Sequence, residues 1–121
     1  MTYSLKFGKN KYGAVKTEYK GGQYDSKKEG RKAFELDLLV RAREIRSWDA
    51  HKKIELFGEN GTKVCSYYID FVVTHNDSTI EYIEIKSPIT MTSTWRLKWK
   101  LMEDKYQDEI RKGLIKLTVE L

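Results

Sequence analysis

Apolar residues fall into two rhythms along this chain. Between residues 26 and 46 they recur at helical spacing: Ala33, Leu36 and Val40 form one stripe, and Phe34, Leu38, Ala42 and Ile45 a second. Two stripes predict a helix packed on more than one side. Its start carries the pattern of a capping box, with Ser26 at the cap and Glu29 three residues on. Stretches of period two follow. "KIELF" (53–57) ends at the turn "GENG" (58–61). "KVCSYYIDFVV" (63–73) sets Cys65, Tyr67, Ile69, Phe71 and Val73 on one face of a strand, and Val64, Tyr68, Asp70 and Val72 on the other. "HNDS" (75–78) has turn chemistry and leads into "TIEYIEIKS" (79–87), where Ile83 and Ile85 oppose Glu84 and Lys86. After the loop "PITMTST" (88–94), Trp95, Trp99, Met102, Tyr106 and Ile110 mark the core-facing stripe of a second helix, over about 94–112. Gly113 stands where a helix-ending glycine would, and "LIKLTVEL" (114–121) closes as a strand.

The segment before the first helix has a different character. Residues 1–14 read as irregular, and 15–25 as a small hairpin turning at Gly21-Gly22. The predicted order is therefore an N-terminal arm and hairpin (1–25), then helix, three strands, helix and strand (26–121). That is an α/β chain of α+β type with a mixed sheet, and 121 residues suit one domain.

Charge adds a partner. The net charge is +5, and residues 1–32 hold nine basic side chains against three acidic ones, which leaves the remainder near neutral. A basic arm that also holds Tyr3, Tyr12, Tyr19 and Tyr24 suits a polyanion; a solubilising tail is the plainer account. The single Cys65 reads as a small core residue and predicts a reducing compartment. No run is apolar enough for a signal peptide or a membrane span, so a soluble cytoplasmic protein is expected. His51 and His75 have no zinc-ligand spacing, and no glycine-rich phosphate loop is present, so no nucleotide cofactor is expected.

The chemistry concentrates on the second and third strands of the predicted core. A hairpin turning near Asp77 places Asp70 opposite Glu84, with Cβ atoms roughly 4.5–5.5 Å apart. Two opposed carboxylates repel, but hard oxygen ligands on neighbouring strands are what Mg²⁺ takes, with Mn²⁺ as a substitute. Lys86 shares the face of Glu84 two residues on, roughly 6.5–7 Å away. An ammonium there suits an attacking water or a charged transition state; an ion pair from Lys86 to Asp70 is the structural alternative. Glu29 heads the Ala33–Leu36–Val40 stripe and is either a further acid or only a cap.

The element order together with Asp70, Glu84, Ile85 and Lys86 resembles the PD-(D/E)XK nuclease superfamily, whose restriction-endonuclease-like core is αβββαβ. More narrowly, "KYGAVKTEYKGGQYDSKKEGRKAFEL", "YYIDFVV", "EIKS" and "TWRLKWKLMEDKY" are similar to small phage nucleases related to Holliday-junction resolvases and recombination endonucleases. Two departures stand out: Ile69 precedes Asp70 where the motif has Pro, and Ser87-Pro88 follows Lys86 where many relatives have Gly. The resemblance implies a Mg²⁺-dependent endodeoxyribonuclease that cuts branched DNA as a homodimer in the bacterial host cytoplasm. It implies metal ligation by Asp70, Glu84 and the Ile85 carbonyl, with Glu29 assisting, and Lys86 acting on the water. DNA contacts are expected from Lys9, Lys11, Lys16, Lys27 and Lys28, and from Arg96, Lys98 and Lys100 of the second helix, which otherwise form a solvated basic face. A sequence-specific endonuclease of the same fold, and a DNA-binding module without catalysis, are the alternatives.

Overall fold

The computed structural model describes residues 6–9, 15–19, 22–24 and 27–121, the first three segments by their backbone alone. The chain divides into two compact units, Met1–Glu44 and Ile45–Leu121. The first holds β1 (Lys6–Lys9), β2 (Val15–Tyr19), β3 (Gly22–Tyr24) and α1 (Lys27–Arg41). β1, β2 and β3 form an antiparallel sheet, and α1 packs on β2 and β3. The expected hairpin is β2–β3, but Gly22 sits inside a strand opposite Tyr19; Gly21 lies outside the described residues. β1 replaces part of the expected irregular arm. "KFGK" has one apolar residue, so no alternation announces it, and pairing with β2 makes the strand.

α1 ends at Arg41, five residues before the expected end. Arg43 turns left-handed, with φ 62°. Around it, Glu44 N–H donates to Leu39 C=O (2.8 Å) and Arg43 N–H to Val40 C=O (3.0 Å), the two bonds of a Schellman ending. Glycine usually occupies that position; an arginine there gives no sequence signal. On the second apolar stripe Phe34 is 37% exposed and Leu38 45%, while Ile45, beyond the helix, is buried. The first stripe buries Ala33 and Leu36.

The second unit is a four-stranded mixed sheet, in the order β4 (Ser47–Phe57), β5 (Lys63–Thr74), β6 (Ile80–Ile85), β7 (Ile115–Glu120). β4, β5 and β6 are successively antiparallel. β7 runs parallel to β6, because a crossover of a short 3₁₀ turn, α2 (Ser93–Lys105) and α3 (Gln107–Arg111) brings the chain back in the same direction. β4 starts six residues earlier than expected: "SWDAHK" lacks alternation, yet pairs with β5 from Ser47↔Thr74 to Lys52↔Ile69.

The β5–β6 register is the expected one, with Phe71 opposite Ile83 and Thr74 opposite Ile80. The faces of β5 differ from the simple alternation. Tyr67 and Ile69 share one core cluster with Val72 and Tyr82, so the alternation slips by one position at Asp70. Across the ladder, His51 lies between the pairs Ala50↔Phe71 and Lys52↔Ile69, and takes a left-handed φ of 54°. The fault in both strands at one level turns the N-terminal half of β5 over. It brings Tyr67 to the face that α2 covers.

That face holds one core cluster of the unit. Trp95 and Met102 of α2 bury against Ile54, Leu56, Tyr67, Ile69, Val72 and Tyr82, while Trp99, Tyr106 and Cys65 pack around them. Thr92 caps α2 by accepting Trp95 N–H at 3.1 Å. The helix breaks at Tyr106, where no Gly or Pro warns of it; the Tyr106 ring stacks on Tyr82 at 5.2 Å, and this packing holds the break. Gly113 ends α3 as expected, with φ 76°, Leu114 N–H donating to Glu109 C=O and Gly113 N–H to Ile110 C=O. Gly113→Ala should lower stability by about 1 kcal/mol in urea unfolding, because a Cβ is strained at positive φ although space is open around it. Among the described residues, no helix is long and apolar enough to cross a membrane.

Candidate functional site

Asp70 and Glu84 meet where β5 and β6 part. The β5–β6 ladder runs from Thr74 to Phe71 and stops there. At the next level Asp70 Oδ2 accepts the backbone N–H of Ile85 at 2.8 Å, so a carboxylate takes the place of a ladder bond. The Asp70 carboxylate also lies close enough to Glu84 for its charge to act on that carboxyl. Glu84 is 4% exposed, one of two buried charged side chains among the described residues. Burial, then the Asp70 hydrogen bond and charge, push its carboxyl up to about 9; Tyr67 and the Lys86 charge oppose this only in part. Such a shift favours the protonated form of Glu84 at neutral pH.

Tyr67, on one face of the alternating strand, and Trp95, on the core-facing stripe of the second helix, complete the site. Tyr67 O–H donates to Glu84 Oε2, and Trp95 Nε1–H donates to the Tyr67 oxygen at 2.7 Å. Burial and the Glu84 contact push the Tyr67 phenol above its usual range, so its hydroxyl remains a donor. The only signal available beforehand was general: a buried Tyr or Trp needs a partner for its polar atom. Tyr67→Phe should cost about 1–3 kcal/mol, because Glu84 Oε2 and Trp95 Nε1 both lose their partner inside the core. Urea unfolding in EDTA measures it.

Lys86 leaves β6 on the Glu84 side. Its Nζ lies 4.8 Å from the centroid of the Trp95 ring and 3.3 Å from Thr90 C=O. Its charge acts on Glu84 across the site, while Asp70 Oδ2 accepts from Ile85 N–H. Tyr67, Glu84, Lys86, Trp95 and Lys98 line a common cavity of about 340 Å³. Ile85, whose carbonyl is the expected ligand, also donates its N–H to Asp70.

The other expected site residues are placed as follows. Lys98 is half-buried on α2 and reaches the cavity. Arg96 instead donates to Met91 C=O at 3.2 Å, and Lys100 pairs with Glu103 at 3.7 Å on the solvent side, so neither joins the lining. Glu29 stands in the first turn of α1, in the first unit; its cap partner Ser26 lies outside the described residues. Lys27 and Lys28 open that helix, Lys9 ends β1, Lys16 is in β2, and Lys11 lies outside the described residues.

The family described as "Protein of unknown function (DUF1064)" matches residues 9–118. The chain belongs to the DUF1064 family. No curated protein and no solved structure matches it. The matched span takes in all of the carboxyl pair, Lys86, Tyr67, Trp95 and Lys98, so the whole constellation is part of the DUF1064 region of the chain. What this DUF1064 chain holds is a buried Glu84 beside a half-buried Asp70, an ammonium two residues on along the same face, and a cavity with a second lysine. Carboxylate oxygens of this kind are donors for a hard divalent cation, without selecting which one.

Proposed function

We propose that this DUF1064 chain is a Mg²⁺-dependent DNA endonuclease of the PD-(D/E)XK kind, acting as a homodimer on branched recombination or replication intermediates of a phage. The observation that carries the reading is the contact of Asp70 with Glu84 at the parting of two strands, beside Lys86. A stability-driven core has no use for two neighbouring carboxyl groups. A divalent cation between them gives them one.

Asp70 and Glu84 would hold the metal, with Tyr67 and Ile85 N–H fixing the two carboxyl groups in position. When bound there, the metal supplies Lewis-acid activation of a phosphoryl oxygen and of water. Lys86 orients that water or meets the charge that grows on the phosphate, and Lys98 faces the same cavity. Glu29 is the further acid that the resemblance assigns. The excess of basic residues in 1–32 supplies phosphate contacts that position DNA without reading its sequence. A four-way branch is approximately two-fold symmetric, and paired cuts in it call for two copies of the chain.

The test is a panel of labelled linear duplex, flap, fork and four-way DNAs, incubated with and without Mg²⁺. Wild type should cut branched forms only with the metal, and Lys86→Ala should lose about 10²–10³-fold in rate. Absence of cutting on every form, in Mg²⁺ and Mn²⁺ alike, rejects the enzyme and leaves a DNA-binding module.

A further inference from the structure

We infer, resting on the reading above, that the cavity beside Glu84 is a nucleotide subsite that takes one unstacked nucleotide of a single-stranded segment, its base on Tyr68 and its phosphate on Lys98. Tyr68 lines this cavity together with Lys98 and Lys86. It belongs to β5, an inner strand of the sheet, yet it is 61% exposed. Two features explain that. β6 pairs with β5 only from Phe71 to Thr74, so it leaves the Tyr68 level uncovered. The slip at Asp70 also turns Tyr67, rather than Tyr68, into the core.

The pair of functions in this cavity is what a single strand needs. An exposed aromatic ring offers a stacking platform to any base, and a lysine beside it takes the backbone charge. In an intact duplex each base face is already covered by its neighbours, so Tyr68 can engage only a base that has left the stack. The volume, about 340 Å³, falls at the small end of ligand pockets, roughly 300–1,000 Å³, and suits one nucleotide rather than a helix. Ser66 and Thr94 add hydroxyl groups to the lining for a sugar or phosphate oxygen. Position matters as well. Glu84 and Lys86 line the same cavity, so a nucleotide held there lies beside both of them. A substrate with an unpaired base next to the cut, such as a flap or the opened centre of a branch, meets this demand.

The experiment is fluorescence anisotropy of wild-type protein in EDTA, with a fluorescein-labelled single-stranded oligothymidylate and with a duplex of equal length. Tyr68→Ala should weaken single-strand binding about ten-fold or more and leave duplex binding unchanged. Tyr68→Phe keeps the ring and should bind like wild type. Lys98→Gln should reduce the slope of log K against log salt by about 0.7 on the single strand, the loss of one phosphate contact. Equal effects of Tyr68→Ala on both DNAs, no effect on either, or no single-strand binding by wild type would overturn the subsite. Cleavage is scored separately in Mg²⁺. A protein that cuts nothing but shows the Tyr68-selective loss has the subsite without the nuclease; one that cuts and lacks the selective loss has the nuclease without the subsite.

Discussion

Asp70→Asn should abolish Mg²⁺-dependent cleavage, by about 10³-fold or more, while leaving the fold at least as stable as wild type and DNA affinity within about two-fold. The two halves of this result come from different properties of one side chain. Asparagine keeps an oxygen where Asp70 Oδ2 accepts the Ile85 N–H, so the join between β5 and β6 persists. Its amide N–H₂ can donate to Glu84. The negative charge that raises the Glu84 carboxyl is gone, which relieves the repulsion rather than adding to it. Only the charge that a cation needs is lost. Asp70→Ala is the contrast: it leaves Ile85 N–H without its acceptor and should cost about 1–3 kcal/mol as well as activity. A cleavage gel, anisotropy binding and a thermal melt on the same preparations separate these outcomes. Cutting by Asp70→Asn within ten-fold of wild type would remove Asp70 from the chemistry.

How much of this site was legible beforehand depends on which interactions hold each part. Asp70 and Glu84 could be paired from sequence because "HNDS" fixes a short turn, and a turn fixes a register. The ends of α3 and β7 were legible for a similar reason, since Gly113 is the residue its φ demands. The matching end of α1 was not, because Arg43 holds the same left-handed conformation with no glycine to announce it. The break at Tyr106 and the early start of β4 belong to the same class. Both are imposed by tertiary partners, the Tyr82 ring in one case and the β5 edge in the other. The most consequential gap is at Asp70. Strict alternation sets Tyr67 and Phe71 on one face, and a one-residue slip is invisible to any two-residue period. Yet that slip carries Tyr67 to Glu84, joins Trp95 to the site, and leaves Tyr68 exposed on the cavity. The residues that make up the site's chemistry could be read in a line; the residues that orient it depended on a fault in the pattern.

Stability of the metal-free protein should fall as pH rises from about 5 to about 9, and Glu84→Gln should remove that fall. Glu84 has a folded pKa raised to about 9, against an ordinary carboxylate value of 4.5. Between those limits the folded chain binds a proton that the unfolded chain releases. The contribution is therefore complete below the unfolded value and is lost as pH climbs through the folded one. The ceiling is about 1.4 kcal/mol per pH unit, on the order of 4 kcal/mol from pH 5 to pH 8. Glu81 works in the opposite direction and in another range. Despite a burial penalty, its carboxyl is held below the usual value by bonds from Thr118 and His75, so its contribution is present above the ordinary carboxylate pKa and disappears as pH falls through the folded value. Acid loss and alkaline loss thus belong to different residues. Glu84→Gln keeps an oxygen for the Tyr67 hydroxyl, so it tests the proton with that hydrogen bond retained. Urea midpoints in EDTA at pH 5, 6.5 and 8 give the comparison. Mg²⁺ should restore more stability at pH 8 than at pH 6 in wild type, since a cation and a proton compete for the same carboxyl pair, and should restore little in Glu84→Gln. Parallel curves for the two proteins in EDTA would mean that Glu84 is already ionised in the fold, and that no proton waits there for a metal to displace.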